Sequence, residues 1–147
     1  MTPARRVHWL LCQLFLLLVL VQFFLGGLGV FRAKPHGHDK LFESSTFDAH
    51  RAVGDVTQLV ALLILIAALF ARERVRLSIV LFVLAILQGI LANSGGDAPI
   101  LGALHPVNGL ALLAIAHFLI RPAREAEAPA AAGPPTSATP TGTPPIT

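Results

Sequence analysis

The chain has 147 residues, of which 54% are hydrophobic and only 13% charged, with a formal net charge of +3. A soluble domain carries about 25% charged residues; here the apolar residues also come in long runs, so the solvent for most of the chain is lipid. One cysteine excludes an intramolecular disulfide and a Cys-based metal motif, and basic residues gathered at the ends of apolar runs read as a topology signal, not a nucleic-acid surface.

Met1–Arg6 is a short basic leader carrying Arg5 and Arg6. Residues 7–31 follow without a fixed charge and include His8 and Cys12. The core of a secretory signal is about 7–15 residues, so this longer run, with no small-residue cleavage site after it, reads as a retained span. Its far end, Leu25-Gly26-Gly27-Leu28-Gly29, suits close helix packing. The loop over residues 32–49 holds His36-Gly37-His38-Asp39, a pair of histidines on a short flexible spacing with little metal specificity. Ser45 and Asp48 have the spacing of a capping box, which predicts a helix starting near Thr46.

The second span covers residues 48–71, with Arg51 and Asp55 four apart and able to pair. Arg72–Arg76 is a tight charged connection, and the third span covers residues 77–92, with Gln88-Gly89 near its end. After a short turn, Asp97 suits a cap and Pro99 a first-turn position, so the fourth span covers residues 99–120. Pro106 inside it predicts a kink at or just before His105, leaving the Gly102 carbonyl without its helical donor. His117 reads as an interfacial residue. Residues 122–147, rich in Ala, Pro and Thr, cannot bury enough apolar surface to fold and read as a disordered tail. The fold class is therefore all-α: an integral membrane four-helix up-down-up-down bundle over residues 1–121, its partner the lipid bilayer.

Arg5, Arg6, Arg72, Arg74, Arg76, Arg121 and Arg124 fall on one side of such a bundle, and Arg32, Lys34, Lys40 and Arg51 on the other. The positive-inside rule then puts both termini in the cytoplasm, with the plasma membrane as the location.

Phe47-Asp48-Ala49-His50-Arg51 opens the second span, and Leu104-His105-Pro106-Val107-Asn108-Gly109 lies in the fourth. Each histidine is followed four residues later by a glycine, Gly54 or Gly109, which lies on the same helix face and leaves a notch for a flat group. The two spans run in the same direction and are diagonal in the bundle, with axes roughly 12–14 Å apart. Two imidazoles reaching inward across that gap can share one iron, with a porphyrin standing between the helices. Candidate residues for haem b are thus His50 and His105 as iron ligands, Gly54 and Gly109 as space for the ring, and Arg51 for a propionate.

The His50-Arg51-x-x-Gly54 pattern and the Leu104-His105 opening resemble one four-helix half of the haem A synthase family. The resemblance implies His50 and His105 as axial ligands. The chain departs from that family in having one half instead of two and in lacking the outer-loop cysteine pair. Phe47 also stands where the family has an acidic catalytic residue. The resemblance therefore extends to the haem site and not to hydroxylation of a haem methyl. The overall plan also resembles small four-helix actinobacterial membrane proteins, a likeness that supplies a fold and no activity.

The first functional expectation is a b-type haem protein serving electron transfer, with a membrane redox partner, or haem handling. The alternative is a non-catalytic helical membrane protein acting through a partner, its histidines only interfacial. A weaker third reading is a small enzyme with His50 as base and Asp55 as its orienter.

Overall fold

Lipid offers a backbone no hydrogen bonds, so a chain of this composition must satisfy its amides within helices. The computed structural model describes residues 2–32, 45–95 and 98–121. They form α1 (Pro3–Arg32), a single 3-10 turn (Ser45–Phe47), α2 (Asp48–Ala71), α3 (Val75–Ser94) and α4 (Pro99–Ile120). All four α-helices are long and apolar enough to cross a membrane. The His36–Asp39 motif, Asp97 and the tail from residue 122 lie outside the described residues.

The observed bounds of α2 and α4 coincide with those expected, whereas α1 and α3 extend further into their polar flanks. The expected capping box does not form: α2 starts at Asp48, behind the 3-10 turn, and its N-cap residue Phe47 makes no side-chain cap hydrogen bond. Arg51 pairs with Asp48, one turn back, in place of the expected Asp55. Pro99 occupies the start of α4 as expected.

The helices pack as a ring in which α1 touches α2, α2 touches α3, α3 touches α4 and α4 closes on α1. This makes α2 and α4 diagonal. Packing within each sequential hairpin, α1–α2 and α3–α4, is the most extensive. One half of the interior is apolar, built on Phe15, Val19, Ile64, Leu81 and Leu112, with Ala61, Ala85 and Ala116 letting the helices approach. Large apolar side chains such as Leu17, Phe24, Leu59, Phe70 and Ile90 face outward, as lipid permits.

At the other end of this core lies the α2–α3 turn. Arg72 and Arg74 both have a φ of 51°, in the left-handed region. The N–H of Glu73 bonds to the carbonyl of Ala68 at 3.2 Å, closing α2 with a Schellman-type bond. Arg74 then donates to the carbonyls of Phe118 and Arg121 and so caps the end of α4. Arg5 pairs with Glu73 at 3.0 Å, tying α1 to the same turn. This half-exposed ion pair contributes less than about 1 kcal/mol. At the opposite end, Gly95 and Gly102 let the α3–α4 turn close backbone against backbone: a Cβ on Gly102 would lie 3.0 Å from the Gly95 Cα.

Candidate functional site

His50 enters on the first turn of α2 and His105 on the second turn of α4, near one end of the bundle. Although their helices are diagonal, the rings meet, with centroids 6.0 Å apart and planes inclined at 63°. Two metal–nitrogen bonds of about 2.0 Å each, plus about 1.1 Å from each ring nitrogen to its centroid, would separate two opposed imidazoles by about 6 Å.

Each histidine is oriented by a glutamine on the preceding helix. His50 Nδ1 lies 3.1 Å from the Gln22 carbonyl, and His105 Nδ1 lies 3.2 Å from the Gln88 carbonyl. A carbonyl oxygen only accepts, so Nδ1 carries the proton in both rings and Nε2 carries the lone pair. This is the hydrogen-bonding arrangement that fixes tautomer and orientation in metal-binding histidines.

The glutamine side chains add a second layer. Gln22 Nε2 donates to the His50 carbonyl at 2.9 Å, and Gln88 Nε2 lies 3.2 Å from His105 Nε2. Asn108 Nδ2 donates to Gln88 Oε1 at 2.6 Å and to the Leu84 carbonyl at 2.9 Å. Gln58 Nε2 donates to the Ala85 carbonyl at 3.2 Å, linking α2 to α3. A polar layer thus crosses the bundle where an apolar interior would otherwise continue. Phe47 stands edge-on to His50, with centroids 6.4 Å apart.

The glycines meet side chains of this layer. A Cβ on Gly54 would lie 3.0 Å from Gln22 Nε2, and one on Gly89 would lie 2.5 Å from Gln58 Nε2. A Cβ on Gly109 would lie 3.2 Å from the Phe23 ring and 3.5 Å from Gln88 Nε2. Gly26 faces His50 itself, and Gly29 is covered by the Phe47 ring. The notches at Gly54 and Gly109 therefore receive flat groups, and those groups are the chain's own glutamine amides with the Phe23 ring. For a haem the donor set and the spacing fit. The ring requires Gln22, Gln88 and Phe23 to move aside, which breaks the hydrogen bonds of Gln22 to the His50 carbonyl and of Gln88 to Asn108 and His105. Arg51 and Asp48 remain paired in the exposed first turn of α2. Asp55 is exposed and five residues beyond His50.

Of the expected site residues, the fold brings His50, His105, Gly54 and Gly109 into one layer and leaves Arg51 at its edge. The remaining described histidines are elsewhere. His117 is exposed and accepts from Arg121 at 3.1 Å. His8 is buried among Ser78 Oγ at 3.3 Å and Cys12 Sγ at 3.8 Å. Among the described residues no group of three or more His, Cys, Asp or Glu side chains could hold a metal ion. Gln22 was missing from the sequence reading. Its signal was its isolation as an uncharged polar residue deep in an apolar span, which calls for a partner. No family model, curated protein or solved structure matches the chain.

Proposed function

We propose that the chain is a small b-type haem protein of the membrane, with His50 and His105 as axial ligands, and that it serves electron transfer or haem handling near one membrane face. The observation that carries this reading is the meeting of two imidazoles from diagonal helices, 6.0 Å apart, each with its Nδ1 proton held by a carbonyl. Bound haem would supply one-electron chemistry. The Gln22 and Gln88 carbonyls hold each ring in the tautomer that offers Nε2. Phe23 and Phe47 supply apolar walls. Arg51, in the exposed first turn, can exchange Asp48 for a propionate. The resemblance of the His50 and His105 motifs to half of a haem A synthase points the same way. The test is an absorption spectrum of protein made with ample haem and purified in detergent. A low-spin b-type spectrum that sharpens on reduction is expected, and colourless protein would refute the reading.

The second reading is a non-catalytic helical protein acting through a partner, its polar layer purely structural. The occupation of Gly54, Gly89 and Gly109 by the chain's own glutamines favours it.

We place both termini in the cytoplasm, on the basic asymmetry of the sequence. Cysteines introduced at Gly95 and at Thr136 in a Cys12→Ser background should label from outside and from inside the cell, respectively. Labelling of Thr136→Cys from outside intact cells would reverse this orientation.

A further inference from the structure

The two hairpins repeat one device. Gln22 serves His50 and covers Gly54; Gln88 serves His105 and covers Gly109. The copies differ at the position three residues after each histidine. Asn108 stands there in the second copy and Val53 in the first. Asn108 donates to Gln88 Oε1, which fixes the amide with its Nε2 toward His105. The lone pair of His105 therefore already accepts a hydrogen. Val53 has no side-chain donor, and Gln22 Oε1 is buried with no partner. The Gln22 amide nitrogen is used on the His50 backbone carbonyl. Among the described residues no donor stands at His50 Nε2.

Resting on the haem reading, we infer that His50 is the capturing ligand and that Gln88, held by Asn108, is a latch over His105. Gln88 must leave His105 Nε2 before that nitrogen could hold an iron. Gln88 and Asn108 are positioning residues: Gln88 donates to the His105 nitrogen that would hold the iron, and Asn108 acts through Gln88. The unpartnered Gln22 oxygen belongs to the open half, where a water would satisfy it.

Stopped-flow absorbance of the full chain in detergent, mixed with haemin, tests the order. Wild-type protein should give a fast high-spin phase and then a slower low-spin phase. Gln88→Leu and Asn108→Leu should each speed the slow phase about fivefold to tenfold, as expected for removal of one hydrogen bond. His105→Ala should keep the fast phase, whereas His50→Ala should lose it. Without haem, the 15N shift of His105 Nε2 should move in both latch variants and that of His50 should not. An unchanged slow phase and an unchanged shift in both variants would overturn the latch. So would haem capture by His50→Ala at the wild-type rate. Failure of every form to take up haem would remove the haem reading together with the latch; uptake with unaltered phases would remove the latch alone.

Discussion

His50→Ala and His105→Ala should each abolish the six-coordinate low-spin spectrum of the haem-loaded protein, a near-total loss from a single substitution. Both rings meet across the bundle diagonal, so neither can replace the other. His8→Ala and His117→Ala should retain the spectrum. His8 sits with Ser78 and Cys12, and His117 with Arg121, both away from the polar layer. Haem per folded protein is the measurement, since loss of a ring also removes packing. A wild-type spectrum in His105→Ala would place any haem elsewhere and refute the paired-ligand site.

The second large effect is steric. Gly102→Val should destabilise the bundle by about 1–3 kcal/mol, the usual cost of forcing carbon into a filled contact. The new Cβ would meet the Gly95 Cα at 3.0 Å, and backbone cannot rotate aside. Gly27→Val is the matched control, because no side chain beyond its chain neighbours and no backbone outside its own helical turns lies within 4 Å of its Cβ position among the described residues. Both replace a helical glycine with a β-branched residue, so the difference between them isolates the close approach. Titration with a denaturing detergent, followed by loss of helix, reads it. Equal midpoints for the two variants would show that the α3–α4 contact does not require a glycine.

Much of this was legible from local pattern. Residues 48–71 and 99–120 could be bounded because charge, Pro99 and the arginines mark where lipid ends. The meeting of His50 and His105 followed from counting spans and placing α2 and α4 on the diagonal. What the glycines receive was not legible, because the filler of Gly54 comes from α1 and that of Gly109 from α1 and α3. Glycine in a sequence states that space exists and not what enters it. The helix start expected near Thr46 was misplaced for a related reason: the Ser45–Phe47 turn replaces the cap that Ser45 and Asp48 seemed to offer. The His8–Cys12–Ser78 cluster was half visible, since His8 and Cys12 are four apart on one face, but Ser78 reaches it only through the packing of α3.

The diagonal meeting has a mechanical consequence. Each histidine is bonded to its own hairpin, His50 to α1 and His105 to α3. The contact between the two imidazoles runs across the seam between hairpins. An atom bound to both nitrogens would act as a cross-brace, resisting sliding of one hairpin past the other and coupling rigidity at that end of the bundle to occupancy of a single point.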